Sequence, residues 1–385
     1  MKLNVLIFGF FGQFGGREIE VRNLIVALSE KYNVRVISMG HMSNDSVAIK
    51  NLNCVSTSIF KELYRSSLGL RITSFFSKMH NSSKLPTYFF IENTISKKLF
   101  SFYDKKSFLL ESEIKKTDIV LYCGVLESTF LGDMIEYCNE TRKPIILRTT
   151  GTVATINNKI GKLLPKVVSV IAHSKSNTRA LLNFTNNNID IVDQTTLVEN
   201  KLLHISILKK EKLTFGYLGR FSREKGIVEL LRIFSKLDAK LFIAGSGPLL
   251  EEVENEMTYN CSFLGEIEPE NLAAFFSEID VLIIPSHEEA GPLVGIEAMA
   301  AGKIIFSTKV GAMEERLKGT KNNFWFDISS ESSFLALVAR LHNMNSDEIV
   351  AIQQANRKRY LEKYSIENIS NQYLEIFEKA KDSNS

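Results

Sequence analysis

Four side chains in the second half of the chain have types and spacing suited to one chemistry. Arg220 and Lys225 lie within Gly219-Arg-Phe-Ser-Arg-Glu-Lys-Gly226, and Glu289 and Glu297 bracket Glu289-Ala-Gly-Pro-Leu-Val-Gly-Ile-Glu297. Two cations at a strand's carboxyl end suit a diphosphate, arginine as a donor fork and lysine as a point charge. Carboxylates repel a phosphate and are better suited to accepting hydrogen bonds from sugar hydroxyls. The set therefore points to a ligand that joins phosphate and sugar. Each member also has a plainer reading. Arg223 and Glu224 could draw the cations into an exposed ion-pair cluster. Glu289 could be a solvated loop residue and Glu297 a first-turn acid favoured by the helix dipole.

These residues need elements to position them. Residues 281–284 read as a short buried strand, Pro285-Ser286 ends it, and 293–301 has the composition of a helix. Gly291 is the expected N-cap and Pro292 the first helical residue, which leaves the N–H groups of Leu293 and Val294 free for an anion. Around this core the pattern alternates: a strand to Leu218, a helix over 227–237, a strand over 240–244, the Gly245-Ser-Gly-Pro248 turn, a strand over 262–264 and a helix over 269–277. That is a doubly wound α/β domain, whose ligands bind beyond the carboxyl ends of its strands.

The first half alternates in the same way. A strand over 2–10 precedes the loop Phe11-Gly-Gln-Phe-Gly-Gly-Arg-Glu18, a helix over 18–31 and a strand over 34–38. The glycines do not fit G-x-G-x-x-G, so a dinucleotide is not indicated; Gly15 and Gly16 either let the backbone approach a ligand or serve a turn with positive φ. Further strands are expected over 118–122, 144–149 and 167–172, and helices over 126–138 and, capped by His173-Ser174, over 175–182. A turn-rich loop follows over 183–188. The chain then divides into domains 1–203 and 204–363 with a closing segment 364–385, the boundary lying in 200–210.

With 385 residues, two domains are the default. A net charge of +3 is too small to argue for nucleic acid, and four cysteines without metal-ligand spacing suit a reduced, cytoplasmic protein. No metal site is indicated. No apolar run approaches the roughly 20 residues that span a bilayer, so membrane contact would be peripheral. Residues 60–108 stand apart, with nine Lys and Arg against three carboxylates and interleaved aromatics. Such a segment can lie on an anionic bilayer. Alternatively its aromatics fill the core and its lysines form a solvated face.

Taken in order, Gly219-Arg220-x4-Lys225-Gly226, Gly245-x-Gly247-Pro248, Phe263-Leu-Gly265, Pro285-Ser286 and Glu289-x7-Glu297-Ala-Met-Ala-x-Gly302 resemble glycosyltransferase family 4. Its members are retaining enzymes of GT-B fold, in which two Rossmann-like domains face a central cleft. Gly15-Gly16-Arg17-Glu18 looks like the family's glycine loop, and Tyr364-Ser-Ile-Glu367 like the start of its final helix, which returns to the first domain. The resemblance implies that Arg220 and Lys225 bind a donor diphosphate with the N–H groups of Leu293 and Val294, beside Gly291 and Pro292. It further implies that Glu297 meets the ribose, Glu289 the transferred sugar, the main chain of Glu266 and Ile267 the base, and Gly15 and Gly16 the phosphates or acceptor. Catalysis would fall to Glu289, Arg220 and Lys225, with no metal and no cofactor beyond the nucleotide-diphosphate sugar consumed as substrate. The acceptor would be a glycan or lipid-linked glycan of surface-polysaccharide synthesis (O-antigen, capsule or lipopolysaccharide), at the cytoplasmic face of a membrane touched through 60–108. Where family members often carry a histidine near the sugar, this chain has Thr149, Thr150 and Thr152. A sugar-nucleotide epimerase and a catalytically silent partner subunit are the alternatives.

Overall fold

The computed structural model describes residues 2–128, 130–185, 188–207 and 212–382. Parts of the expected loop 183–188 and of the expected boundary 200–210 lie outside the described residues. The chain separates into two compact units. The first comprises residues up to 172, 178–192 and from 370 on; the second comprises 173–177 and 193–369. Where the sequence reading divides the chain at 203, the structure divides it at 192.

The first unit is built on seven strands, β1 (Asn4–Gly9), β2 (Asn33–Ser38), β3 (Val55–Ser58), β4 (Ile119–Gly124), β5 (Ile145–Thr149), β6 (Ser169–Ala172) and β7 (Ile189–Ile191). All pairings are parallel and the order is β3-β2-β1-β4-β5-β6-β7. Crossovers cover both faces of a parallel sheet, so its central strands are apolar throughout, as Val5 to Phe8 and Ile119 to Cys123 are. The second unit has β8 (Phe215–Leu218), β9 (Leu241–Ala244), β10 (Cys261–Phe263), β11 (Val281–Ile284) and β12 (Ile304–Ser307), again all parallel, in the order β10-β9-β8-β11-β12. Strand order reverses between β1 and β4 in one sheet and between β8 and β11 in the other. At such a reversal the connections leave in opposite directions and open a crevice at the strands' carboxyl ends.

Several helices differ from expectation. The helix expected over 18–31 runs Gly16–Ser29, that over 126–138 runs Leu131–Glu140, and that over 227–237 ends at Phe234. Residues 175–182 form no α-helix, only the three-residue turns Ser176–Thr178 and Leu181–Asn183. The expected cap from His173-Ser174 is replaced from a distance: the carboxylate of Glu315 accepts the N–H groups of Lys175 and Ser176, each at 3.1 Å. Those groups are satisfied without a helix behind them.

The last helix, Ile366–Asp382, belongs to the first unit from Ser370 onward. Its Tyr373 hydroxyl donates to Glu20, which also accepts the Nε of Arg148 at 3.1 Å. All three residues are buried. Burial in this charged setting drives the Tyr373 hydroxyl well above the ordinary phenol range.

The basic segment folds into helices Ile59–Ser66, Leu68–His80, Thr94–Leu99 and Phe102–Lys115. Its aromatics divide: Phe60 and Phe102 are buried in the core, Tyr64, Tyr88 and Phe100 pack against it, and Phe75, Phe76 and Phe108 are exposed. Lys106 is buried too, so it is no part of a solvated face. Among the described residues no helix is long and apolar enough to cross a membrane.

Candidate functional site

The topology of the second sheet places Arg220, Lys225 and Glu289 in loops that follow neighbouring strands. Arg220 and Lys225 follow β8, and Glu289 follows β11, the pair between which strand order reverses. Gly226 takes φ +65°, and a Cβ there would lie 2.1 Å from the carbonyl oxygen of Pro285. Glycine thus lets the β8 loop press against the end of β11. The His287 N–H donates to the Glu224 carbonyl at 2.8 Å and ties the two loops. Lys225 is thereby brought to Glu289, and the two form an ion pair. Glu289 also accepts the Ser286 hydroxyl at 3.2 Å. Arg220 is exposed, and among the described residues no carboxylate pairs with its guanidinium. Its carbonyl accepts the Tyr217 hydroxyl at 3.0 Å, and burial raises the pKa of that phenol. The Ser222 hydroxyl, donating at 2.6 Å, holds the Glu224 carboxyl below its usual range. Glu224 is accordingly turned to its own loop.

The helix after β11 runs Leu293–Ala300, and its cap is Pro292 with extended backbone (φ −62°, ψ 115°). This corrects the expectation of Gly291 as cap and Pro292 as first helical residue. Pro292 stands one position earlier because its carbonyl is held: it accepts the Gly295 N–H at 3.0 Å and Arg316 Nη1 at 2.6 Å. Arg316 is fully buried and forks onto Asp193 through Nε at 2.9 Å and Nη2 at 2.6 Å. The Ala290 carbonyl accepts Asn177 Nδ2 at 2.9 Å and the Ala312 N–H at 3.1 Å. Leu293 and Val294 open the helix, where N–H groups have no acceptor within it.

Glu297 lies one turn further in than a first-turn acid. It is buried, with Thr196 as hydrogen-bond partner, and desolvation pushes its carboxyl up to about 7. Among the described residues it forms no ion pair with Arg220 or Lys225. Glu266 and Ile267 follow β10; Glu266 is exposed and accepts the Ser246 hydroxyl at 3.3 Å, while Ile267 packs on an apolar cluster.

In the first unit, Gly15 caps the helix that Gly16 opens, at φ 152°. Glu18 accepts the Gly12 N–H at 2.7 Å, and a Cβ on Gly15 would fall 2.8 Å from that carboxylate. Arg17 donates to the Phe10 carbonyl at 2.8 Å and to the Thr150 hydroxyl at 3.1 Å, joining the glycine loop after β1 to the threonine loop after β5.

Sequence reasoning missed the residues that hold these loops: Arg17, Asn177, Asp193, Thr196 and Arg316. Arg17 stood inside the glycine motif and could have been found there. The others act across 24 to 123 residues of chain and leave no local signal.

Residues 199–359 match the family model described as glycosyl transferases group 1. An uncharacterized glycosyltransferase of Methanocaldococcus jannaschii is 30% identical over 182 residues, which cover 45% of this chain and 46% of that protein. The lipopolysaccharide 1,2-N-acetylglucosaminetransferase of Salmonella typhimurium is 29% identical over 178 residues, covering 41% and 46%. The chain thus spans about half the length of these curated relatives. Among solved structures, Anabaena HepE in complex with UDP and glucose superposes with a TM-score of 0.68 at 11% identity, over 98% of this chain and 99% of that one. The fold is GT-B, and residues 199–359, which fall within the second unit, resemble the group 1 glycosyl transferases.

Proposed function

We propose that this protein is a retaining, metal-independent glycosyltransferase that moves a sugar from a nucleotide-diphosphate donor to a glycan or lipid-linked acceptor in surface-polysaccharide synthesis. One observation carries the reading. The loop with Arg220 and Lys225 and the loop with Glu289 and the helix start leave adjacent strands at the strand-order reversal, tied by a backbone hydrogen bond and an ion pair. In this reading Arg220, Lys225 and the N–H groups of Leu293 and Val294 take the diphosphate. Their positive charge stabilises the charge that develops on the leaving group. Glu289 accepts hydroxyls of the sugar, Glu297 those of the ribose, and the backbone at Glu266 and Ile267 meets the base. Gly15 and Gly16 let backbone approach the phosphates or acceptor. Retention comes from the family resemblance, and the polysaccharide setting is supported by the name of the Salmonella relative.

The helix Leu68–His80 favours an acceptor at an anionic membrane. It buries Leu70 in the core beside Thr73 and Ser74, with Thr73 and Ser96 hydroxyls 2.7 Å apart, and leaves most of its large apolar side chains outside. Leu68, Ile72, Phe75, Phe76 and Met79 are 50 to 66% exposed. Their spacing forms one stripe at helical period. Arg65, Arg71, Lys84, Lys97 and Lys98, all exposed, add positive charge around it. An apolar stripe amid cations matches a surface of apolar chains beneath anionic headgroups.

A thermal-shift panel of nucleoside diphosphates and their sugars, on wild type and Arg220→Ala, tests the reading. A ligand at about 100 times its Kd stabilises by about 2.7 kcal/mol. One nucleotide class is expected to shift the wild type and not the variant. A panel with no response overturns the transferase assignment.

A further inference from the structure

The helix Phe102–Lys115 turns Phe102, Lys106, Leu110 and Ile114 inward, so a lysine stands in a stripe that is otherwise apolar. Lys106 is 2% exposed. Its ammonium lies 4.9 Å from the ring centre of Phe10, 5.3 Å from that of Phe60 and 4.6 Å from that of Phe130. Among the described residues no carboxylate or hydrogen-bond acceptor engages it. Glu92, whose charge reaches this amine, is paired with Lys97 at 3.0 Å. Ring faces attract a cation but do not neutralise it, and a buried charge without a counter-ion is strongly unfavourable.

A second polar group without a partner stands beside it. His41, in the loop after β2, meets the same Phe60 ring at 4.7 Å and stacks on Phe89 at 4.4 Å. Its Nδ1 is buried and, among the described residues, has no hydrogen-bond partner. Phe10 directly follows β1 and is 38% exposed, so one wall of the cage borders solvent. Both groups therefore sit beyond the carboxyl ends of β1 and β2, the side on which open parallel sheets bind ligands.

We propose that Lys106 and His41 form an oxyanion subsite in the first unit, which takes a phosphate or carboxylate group carried by the acceptor. The oxyanion supplies the counter-charge that the ammonium lacks, the imidazole donates a hydrogen bond to it, and the exposed ring of Phe10 offers a face for an adjoining sugar. The anion site stands on the cage itself; only its assignment to the acceptor rests on the transferase reading.

The test uses inorganic phosphate and, separately, acetate as probes, without nucleotide, in thermal-shift titrations of wild type, Arg220→Ala and Lys106→Met. Phosphate or acetate is expected to raise the Tm of wild type and of Arg220→Ala, and to leave the double variant Arg220→Ala with Lys106→Met unmoved, so that the donor-phosphate site does not supply the response. The better probe tells a phosphate-bearing acceptor from an acidic sugar. Without any anion, Lys106→Met is expected to melt no lower than wild type, because a methionine needs no counter-ion. A response that survives in the double variant, or that disappears in Arg220→Ala, overturns the proposal. Should Lys106→Met fail to fold, lysine-selective NMR of the wild type decides: phosphate is expected to raise the pKa of the lysine titrating near 8, and a titration that phosphate leaves unmoved overturns it. If the transferase reading fails instead, nucleotides give no shift while the anion response remains.

Discussion

Lys225 and Glu289 are an ion pair, formed by residues 64 positions apart on the loops that follow β8 and β11. A diphosphate and Glu289 would compete for the same ammonium. On the proposed reading, a diphosphate that takes Lys225 would release the carboxylate to accept sugar hydroxyls. Glu289→Gln removes the competitor and also weakens the acceptor of those hydroxyls. Nucleoside diphosphate is expected to bind the variant at least as tightly as the wild type, while transfer falls about 30- to 100-fold, the worth of a charged hydrogen bond. Calorimetry and initial rates measured together check this; weaker diphosphate binding would mean that Glu289 supports the phosphate site instead.

Glu297 makes stability depend on pH. A carboxyl raised from 4.5 to about 7 binds its proton more tightly in the folded state than in the unfolded one. It has no effect on stability below about pH 4.5, destabilises progressively between 4.5 and 7, and imposes its full cost above 7. That cost is on the order of 3 kcal/mol. Glu297→Gln is therefore expected to gain Tm relative to wild type as pH rises from 5 to 8. A difference in Tm that stays constant across that range would show that the carboxyl is ionised in the fold.

Arg316 joins Asp193 to the carbonyl of Pro292 with every contact buried. Arg316→Ala strands the Asp193 carboxylate and frees the helix cap. The loss should be about 3 to 5 kcal/mol, the usual effect of breaking a buried pair from one side. Urea unfolding measures it. A milder Arg316→Lys keeps the charge but not the fork, and is expected to weaken nucleotide binding while the protein stays folded.

The exposed stripe on Leu68–His80 makes a prediction that stability cannot mimic. Phe75→Ser with Phe76→Ser removes surface side chains, so urea unfolding should change by no more than about 0.5 kcal/mol for each substitution. Sedimentation with vesicles containing phosphatidylglycerol is expected to fall about 100-fold or more. Charge reversal of Lys97 and Lys98 should weaken vesicle binding by about 1 kcal/mol or more per residue. Lys106, which the sequence grouped with these surface lysines, lies inside the core and is left unchanged in this test. Binding that survives the phenylalanine substitutions excludes this face.

The two sheets were legible because buried parallel strands are short apolar runs between turn residues, and Val5 to Phe8, Val120 to Cys123 and Val281 to Ile284 are such runs. The edge strands were harder. β3 is Val55-Ser-Thr-Ser58 and β7 is Ile189-Asp-Ile191, too polar or too short to separate from loop, and they exist because a neighbour offers a ladder. The helix expected over 175–182 failed for the converse reason: its composition permits a helix, but Glu315 satisfies its first N–H groups from afar. The site divides likewise. The cations and carboxylates stand in local motifs, whereas the pairing of Lys225 with Glu289 and the anchoring of Pro292 by Arg316 depend on which strands adjoin. Lys106 could have been suspected, since Phe102, Lys106, Leu110 and Ile114 already fall at helical spacing.

The first unit is discontinuous in sequence, and this matters during synthesis. Tyr373, whose hydroxyl joins Glu20 and Arg148, is translated only after the whole of the second unit. At about 5–20 residues per second, the roughly 180 residues between the two parts take about 10 to 40 s to make. Through that interval the ribosome carries a seven-stranded sheet without its last helix, and a buried arginine and glutamate without their tyrosine. The first unit emerges first from the ribosome, yet it is the last to be finished.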